Sequence, residues 1–432
     1  MGAVRIVNKN SRRNFLRAGV LALTASPISS ALAQLKPQDK FDLVIKNADV
    51  LDPSQKLRGK RDIGIRYGRI EALENEIPAD RALRVLDAGG KLATPGLIDL
   101  HAHVYPYGSA IGIPADELVP YQATTTLVSA GDAGANNFPA FRRHIAGHTR
   151  TRLYAFVHIA NMGLAGFPVP ELFNIGYADA AVAAKAVAEN ADMVLGIKVR
   201  MSENVIDKHG LEPLKRALAA CEAAGGGARV MCHIGGVQTR ELMSQILDAL
   251  RPGDILTHAY SGAPNNAGQG TNIVQDGKLL PAALAAKKRG VMFDVGHGGG
   301  SFDYTMAEPA IAQGAAPDTI SSDIHVFSGN SPGMPYLTWV MSKFLNLGFS
   351  LEQVVAMATL NPARVIGRLP KLGTLQVGAP GDVSILELVE GPVRFVDTRK
   401  NERQAKVHLR PLQTVVGGVA FGRPYQAPFT VR

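Results

Sequence analysis

The chain has 432 residues, of which 46% are hydrophobic and 19% charged, and its formal net charge is +9. This length is too great for one small core and suits a large α/β barrel with a smaller companion domain. Of the 46 basic residues, five lie in residues 1–34, where there is no acidic residue; the other 41 face 37 acidic ones, a balance of about +4. No basic cluster with interleaved aromatics follows, which argues against a nucleic-acid partner.

Residues 1–34 have the features of an export signal. The segment Ser11–Arg17 reads Ser-Arg-Arg-Asn-Phe-Leu-Arg and resembles the twin-arginine signal, with arginine at the last position where lysine is commoner. An apolar run over 18–28 and a small-residue cleavage pattern over 31–33 follow. The run is too short to span a bilayer, and an amphipathic start of the fold is the alternative. The sequence therefore predicts a cleavable signal, a periplasmic or secreted protein, and no stable membrane insertion.

Short segments with alternating apolar residues occur near both ends of the remaining chain. Glycine and proline bound these segments, which is typical of antiparallel strands. They lie at residues 42–53, 62–70 and 83–87, and again at 381–388, 407–411 and 413–418. The pattern predicts a small β-sandwich assembled from residues 35–95 and 373–432, with one large domain over 96–372 inserted between its halves.

Within residues 96–372, strand-like runs alternate with alanine- and leucine-rich helical stretches such as 213–224 and 239–250. This alternation predicts a (β/α)8 barrel, whose active site lies at the carboxyl ends of the strands. The eight predicted strands are Gly96–His101, Thr124–Ser129, Leu153–Ile159, Met193–Val199, Ala228–His233, Ile255–His258, Val291–Val295 and Thr319–Asp323.

Side chains that bind metals well lie at the ends of five of these strands. His101 and His103 come first, and residues two apart in an extended strand point to the same side. Two imidazoles that converge on one point suit a divalent transition metal. The other four are Lys198, His233, His258 and Asp323. A single strand-end histidine more often has a structural role, but the whole set predicts a metal centre.

With these residues the chain resembles the amidohydrolase superfamily of metal-dependent hydrolases, and within it the dihydroorotase-like amidohydrolase/deacetylase branch. The resemblance runs from about residue 42 to 418 and includes the segments 131–138, 196–202, 293–302 and 341–345. It implies two divalent metal ions, usually zinc. The implied ligands are His101, His103 and Asp323 for the more buried ion, His233 and His258 for the more exposed ion, and Lys198, as N6-carboxylysine, bridging both.

The lysine needs a physical explanation, because a protonated amine beside a dication is strongly repelled. Carbon dioxide converts the amine of Lys198 to a carbamate, an anionic group whose two oxygens can reach two metals. The alternatives are a neutral lysine and a nearby carboxylate, Glu203, acting in its place.

Two ions a few ångströms apart can share a hydroxide, because they lower the pKa of bound water from 15.7 towards about 7. Asp323 is the residue best placed to take the proton of that hydroxide and pass it to the departing amine. Strand alternation puts Arg200 on the same side as Lys198, where it would bind a substrate carboxylate or form an ion pair at the barrel rim. His297 and Ser301 lie in a glycine-rich loop after strand seven and are further candidates for substrate contact.

The resulting functional hypothesis is hydrolysis of a linear amide or ester in a small-molecule substrate. The leading reaction is removal of a small acyl group, such as acetyl, from an N-acyl amino acid or an acyl hydroxy acid. The alternative is a cyclic-amide hydrolase of dihydroorotase or hydantoinase type, because the same ligands would serve ring opening. A noncatalytic binding protein on the same barrel is the remote alternative. The substrate, its chirality, the native metal and any homo-oligomer remain open at this stage.

Overall fold

The computed structural model describes residues 39–367 and 370–421, so the predicted signal over 1–34 lies outside the described residues. The strands are β1 (Leu43–Asp52), β2 (Leu57–Arg66), β3 (Arg69–Glu74), β4 (Val85–Asp87), β5 (Leu92–Pro95), β6 (Leu97–Ala102), β7 (Thr124–Gly134), β8 (Arg152–His158), β9 (Val194–Arg200), β10 (Arg229–His233), β11 (Ile255–Thr257), β12 (Val274–Gln275), β13 (Lys278–Leu279), β14 (Met292–Asp294), β15 (Val383–Val396), β16 (Glu402–Val416) and β17 (Val419–Phe421).

The α-helices are α1 (Ala115–Gln122), α2 (Phe138–Ala140), α3 (Ala180–Glu189), α4 (Glu203–Ile206), α5 (Glu212–Ala224), α6 (Arg240–Ala249), α7 (Pro281–Arg289), α8 (Tyr304–Ala312), α9 (Leu337–Asn346), α10 (Leu351–Met357) and α11 (Leu360–Ile366). Short 3-10 turns occupy Pro53–Gln55, Ala79–Arg81, Ala146–His148, Ile175–Tyr177 and Asp207–His209, and a π-turn occupies Phe141–Ile145. No helix in these described ranges has both the length and the apolarity to cross a bilayer.

One sheet takes strands from both ends of the chain, and we call it the terminal sheet. Its strand order is β17-β16-β15-β5-β1-β2-β3, with β4 paired to β1. The two halves join where β5 and β15 run antiparallel, with Leu92 opposite Leu386. The predicted segment over 62–70 is really a hairpin, because Tyr67 and Gly68 turn the chain with φ values of 50° and 70°.

The second large sheet is parallel, with the strand order β14-β11-β10-β9-β8-β7-β6. The predicted eighth strand is present only as isolated bridges, from Thr319 to Asp294 and from Ile324 to Ala102. These bridges link the first and last strands and close the barrel. Asp323 has a left-handed φ of 50°, which prevents a regular ladder at this point. The predicted fold class, a (β/α)8 barrel with a small β-sandwich domain built from both termini, is therefore confirmed, and the strands of the smaller domain belong to one sheet.

The helices form where the sequence pattern places them, on the outside of the parallel strands. In α6 the side chain of Thr239 caps the first turn by accepting the amide N–H of Leu242 at 3.0 Å. Its apolar residues at helical spacing, Met243, Ile246 and Leu247, are fully buried. Packing of such faces against the sheet fixes the strands and the direction of their ends.

Side chains alternate across the barrel strands, and this alternation directs the polar residues inward. In β9, Ile197 and Val199 belong to the large core shared with the helices. Leu195 and the neighbouring Met231 belong instead to a separate interior core at the barrel base. Lys198, between the two outward residues, therefore points into the barrel above that interior core.

Candidate metal centre

Three ligand atoms meet at the mouth of the closed barrel. The Asp323 Oδ1 atom lies 3.0 Å from His103 Nε2 and 3.1 Å from His101 Nε2. Ligand atoms of these residues all lie within 4.8 Å of one another, and all three residues are buried. The histidines come from the end of β6, and Asp323 comes from the segment that closes the barrel. Two imidazoles and one carboxylate at this spacing can hold a divalent cation.

The outer hydrogen bonds of His101 fix which of its ring nitrogens faces the centre. Its Nδ1 lies 2.8 Å from the hydroxyl oxygen of Thr257, and that hydroxyl donates its own proton to Asp294 at 2.8 Å. The hydroxyl can therefore only accept from Nδ1–H. Nε2 is left with its lone pair directed at the centre, which is the form that binds a metal.

The carboxylate of Asp132 fixes which ring nitrogen of His103 faces the centre. Asp132 accepts from His103 Nδ1 at 2.8 Å, while its other oxygen accepts from the Val104 amide at 2.9 Å and the Ser129 hydroxyl at 2.8 Å. Asp132 is completely buried and fully engaged. The Nε2 lone pair of His103 is thereby also aimed inward, beside the Asp323 carboxylate.

Two further histidines extend the cluster. The ring of His258 lies 4.9 Å from that of His101 and 4.2 Å from that of His233, measured between centroids. His258 Nδ1 donates to the Gly296 carbonyl at 2.5 Å, whereas its buried Nε2 has no hydrogen-bond partner among the described residues. A buried lone pair without a donor is costly unless something binds it, and a metal ion fits that requirement.

His233 Nε2 lies 3.2 Å from the Ser202 hydroxyl, so Nδ1 is the nitrogen of His233 that remains for a ligand.

Lys198 reaches the same place from β9. Its Nζ lies 3.1 Å from His101 Nε2, and the side chain is only 1% exposed. Gly131 makes room for it, because a Cβ at that position would lie 2.6 Å from Lys198 Cγ. Burial lowers the pKa of Lys198 to about 8, which increases the fraction of neutral, nucleophilic amine.

The electrostatics of the cluster favour a cation at its centre. Burial lowers the pKa of His258 to about 4 and that of His101 well below its usual value, so both rings are neutral ligands. Burial also acts to lower the pKa of His103, but Asp132 and Asp323 outweigh it and raise that pKa to about 9. The carboxylates that would hold a proton there would equally attract a metal ion.

A cavity of about 180 Å³ opens onto this cluster. Its lining includes both apolar side chains and polar or charged side chains. Its lining residues are His103, Ile111, Ala130, Leu164, Phe167, Lys198, Arg200, His233, Gly299, Gly300, Ser301, Asp323 and His325. The size suits a small molecule rather than a polymer segment.

Arg200 lines this cavity, but its charge is already paired. Arg200 Nη1 lies 3.2 and 3.1 Å from the two carboxylate oxygens of Glu171. Glu171 also lies 3.2 Å from His158 Nε2. Burial acts to raise the pKa of Glu171, but Arg200 and His158 outweigh it and lower the pKa to about 2. The pair thus holds the guanidinium group at the cavity wall.

The other predicted site residues lie at different depths. Ser301 lines the cavity. His297 is fully buried, with Nδ1 donating to the Gly298 carbonyl at 2.8 Å and Nε2 lying 2.7 Å from Lys343 Nζ, so its predicted substrate contact stays a prediction. Glu203, the alternative to the lysine, accepts the amide N–H of Asn266 at 2.7 Å and is not part of the cluster.

Several residues of the site were missed from the sequence. Asp132 and Asp294 end barrel strands, as the predicted ligands do, and strand-end position alone could have indicated them. Glu171 lies in the long connection after β8, and Lys343 lies within helix α9; neither stands at a position that a periodic pattern marks. Their importance appears only when the partners of Arg200 and His297 are known.

Known proteins are similar to the chain over most of its length. A model of the amidohydrolase family matches residues 300–420. A deacetylase from Agrobacterium fabrum is 33% identical over 362 residues, which are 84% of this chain and 86% of that protein. The structure of an adenine deaminase superposes with a TM-score of 0.79 at 29% identity, over 89% of this chain and 100% of that one. A dihydroorotase structure gives a TM-score of 0.78 at 31% identity, over 88% and 98%.

Proposed function

The chain belongs to the amidohydrolase family and is a hydrolase that acts on amide bonds, and we propose that its reaction is deacylation. The substrate is an N-acyl amino acid or an acyl hydroxy acid that carries a small acyl group such as acetyl. The observation that carries the proposal is the small cavity over the histidine–aspartate cluster, with Arg200 in its wall. The deacetylase relative, which matches over most of both chains, supports the same reaction.

The side chains of the cluster suit two divalent ions, for which zinc is our proposal. One ion would take His101, His103 and Asp323, and the other would take His233 and His258. When bound, such ions lower the pKa of water towards about 7 and polarise a carbonyl group.

Lys198 would bridge the two positions as a carbamate. Its neutral amine attacks carbon dioxide and loses one proton, so that an uncharged side chain becomes an anionic one with two oxygens. Its burial and its lowered pKa both favour that step. A carbamate also removes the repulsion that an ammonium group 3.1 Å from a metal-binding nitrogen would exert.

Asp323 is the proton carrier in this proposal. Its carboxylate borders the cavity, and a Cβ on Gly298 would overlap its Oδ2 atom, so the glycine keeps that oxygen accessible to reactants. Asp323 accepts a proton from the attacking water and delivers it to the nitrogen of the departing amine. Without that delivery the leaving group would be a strongly basic amide anion.

Arg200 selects the substrate. Glu171 occupies Nη1 of its guanidinium group, and the remaining N–H donors can bind a carboxylate on the substrate. The apolar lining residues Ile111, Leu164 and Phe167 would accept the uncharged part of the molecule.

A substrate panel tests the proposal. Zinc-loaded protein is assayed against N-acetyl amino acids and acetyl esters of hydroxy acids, each as both enantiomers, with Asp323→Asn as the inactive control. We expect turnover of at least one carboxylate-bearing compound that the control does not turn over. Turnover no greater than that of the control across the whole panel would refute deacylation.

Ring opening is the second candidate, and the dihydroorotase structure at 31% identity favours it. The same protein is assayed against dihydroorotate and substituted hydantoins. If ring opening exceeds deacylation by tenfold or more in kcat/KM, the reaction is assigned to cyclic amides.

We also propose that the chain is exported through the twin-arginine pathway, on the basis of residues 11–33. The full chain and an Arg12→Lys/Arg13→Lys variant are compared by cell fractionation. We expect the natural sequence in the periplasm or medium and the variant in the cytoplasm; equal distribution would contradict export by this route.

A further inference from the structure

Helix α9 carries a lysine whose charged end is enclosed within the protein. Lys343 is 1% exposed, and its Nζ donates to three acceptors: His297 Nε2 at 2.7 Å, the Gly333 carbonyl at 2.8 Å and the Val396 carbonyl at 2.7 Å. An ammonium group has three donors and no acceptor. All three donors are therefore used, and all three partners are uncharged.

The bond to His297 has a defined direction. His297 Nδ1 donates its proton to the Gly298 carbonyl at 2.8 Å, so Nε2 carries the lone pair and accepts from the lysine. The ring also stacks on Phe302, with centroids 4.8 Å apart and planes 21° apart. The imidazole is thus held on its edge and on its face.

His297 belongs to the segment 296–301, which we call the glycine-rich loop. Gly299, Gly300 and Ser301 line the cavity. A Cβ on Gly298 would overlap the Asp323 carboxylate, so the backbone of the loop lies directly against the proposed proton carrier. A shift of the loop would change both the shape of the cavity and the surroundings of Asp323.

The far end of the loop is held by the turn between β15 and β16. Thr398 donates its amide N–H to the Phe302 carbonyl at 3.0 Å, and the Tyr304 amide donates to Asp397 at 2.9 Å. Lys343 and this turn therefore fix the two ends of the loop. Between these ends, the Gly298 amide donates to the Ser322 carbonyl at 2.9 Å, and the Gly300 carbonyl accepts from Arg399 Nη2 at 3.2 Å.

We propose that Lys343 is a positioning residue for amide hydrolysis: through His297 it holds the glycine-rich loop against Asp323. In this role His297 connects Lys343 to the loop and need not contact the substrate itself. This role rests on the proposed function only in the kinetic assay, which uses the substrate found in the deacylation panel.

The charges around Lys343 are consistent with this role. Burial lowers the pKa of Lys343 to about 7, and the Asp397 carboxylate in the nearby turn acts in the opposite direction. A neutral amine has only two donors for the three acceptors, whereas replacement of the lysine by a residue without donors removes all three hydrogen bonds.

The test compares Lys343→Met with a matched control, Lys287→Met. Lys287 contacts Asp318 at 2.5 Å and does not contact the loop. Hydrogen–deuterium exchange on both holoenzymes measures protection of peptides that cover 296–303 and, for reference, 194–200. We expect at least a threefold faster exchange of the loop peptide in Lys343→Met only. With the substrate found in the panel, we expect kcat to fall at least tenfold while KM changes less than threefold.

Unchanged loop exchange in a folded Lys343→Met protein would overturn the proposal. If that variant does not fold, His297→Gln and His297→Leu replace it, because glutamine keeps an acceptor for the ammonium group and leucine does not. We expect loop protection to be retained with glutamine and lost with leucine; equal protection in both would also overturn it. Because exchange needs no substrate, its result is independent of whether deacylation is the correct reaction.

Discussion

Asp62 in the terminal sheet and Asp99 in the barrel are both buried carboxylates, but their surroundings differ. In the terminal sheet, burial acts to raise the pKa of Asp62, yet the ion pair with Lys46 at 2.6 Å and two backbone N–H donors lower it overall. In the barrel, burial raises the pKa of Asp99 to about 7 against only the hydrogen bonds of Ser322 and the His101 amide. One carboxylate is well compensated by its neighbours and the other is not.

This difference in surroundings distinguishes charged groups that stabilise the fold from titratable groups that take part in the reaction. A compensated charge stabilises the fold, whereas buried titratable groups with perturbed pKa values concentrate at functional sites. The barrel mouth contains Lys198 with a lowered pKa beside the neutral rings of His101 and His258, while the terminal sheet contains ordinary ion pairs. Substitutions in the cluster at the barrel mouth should therefore reduce activity more than stability, and substitutions of buried ion pairs in the terminal sheet should do the reverse.

Asp323→Asn should give the largest effect. Losing the charge of a cluster carboxylate and its ability to carry a proton should lower kcat/KM at least 10³-fold, within the range typical of general acid–base residues. The measurement is steady-state kinetics, with thermal unfolding to show that the fold is kept. Activity within tenfold of the natural protein would break the proposed distinction between the two regions.

Gly298→Ala should come second. A Cβ there would overlap the Asp323 carboxylate, and φ is +54°. Gly210→Ala is the matched control, because its φ is +52° and nothing lies within 4 Å of its Cβ. Both variants should lose about 1 kcal/mol of stability from backbone strain, but only Gly298→Ala should lower kcat, by about 10–100-fold. Similar kcat values in the two variants would mean that the loss of activity comes from backbone strain and not from contact with the Asp323 carboxylate.

Asp62→Asn tests the terminal sheet. The Asp62 side chain is 4% exposed. Replacing its carboxylate by an uncharged amide should lower the free energy of unfolding at pH 7 by about 1–3 kcal/mol. We expect kcat to be unchanged.

The sign of the pH dependence follows from the lowered pKa of Asp62. A depressed folded-state pKa stabilises the protein above the unfolded value of about 3.9, and this stabilisation is lost as pH falls through the folded value. The stability gap between Asp62→Asn and the natural protein, measured by urea unfolding, should therefore shrink below about pH 4. A gap that stays constant or grows there would argue against this ion pair as the cause.

Arg142→Ala should have the smallest effect. Arg142 makes two contacts of 2.8 Å with Asp192, but the two side chains are 42% and 67% exposed. Exposed ion pairs contribute about 0–1 kcal/mol, so thermal unfolding and kcat should both change little. A loss as large as that of Asp62→Asn would show that burial is not what distinguishes the two pairs.

Sequence reasoning predicted the barrel and the inward-pointing residues because both depend on periodicity. Strand alternation placed His101 and His103 on one side, and the rule that barrel sites lie at strand ends gathered the remaining candidates. The structure brings His233, His258 and Lys198 to the same cluster.

Features that depend on a single turn or on a distant partner could not be predicted. The contact between His297 and Lys343 is one such feature, because the backbone at Gly296 and Gly298, with φ values of 48° and 54°, directs the ring towards helix α9. Glu171 pairs with Arg200, which is 29 residues away in the sequence. Glu171 lies in a connection that contains no regular strand, so no periodic pattern indicates this pair. The eighth strand was predicted at the right place but lacks a regular ladder, because Asp323 adopts a left-handed conformation.

The most direct test of the central claim, that distant strand ends form one metal centre, is the metal content of the purified protein. Inductively coupled plasma mass spectrometry is applied to the natural chain and to His101→Ala/His103→Ala, after dialysis against buffer free of chelators. We expect about two divalent ions per natural chain and at most one in the double variant. Less than one ion per natural chain, or equal contents in both proteins, would contradict the claim.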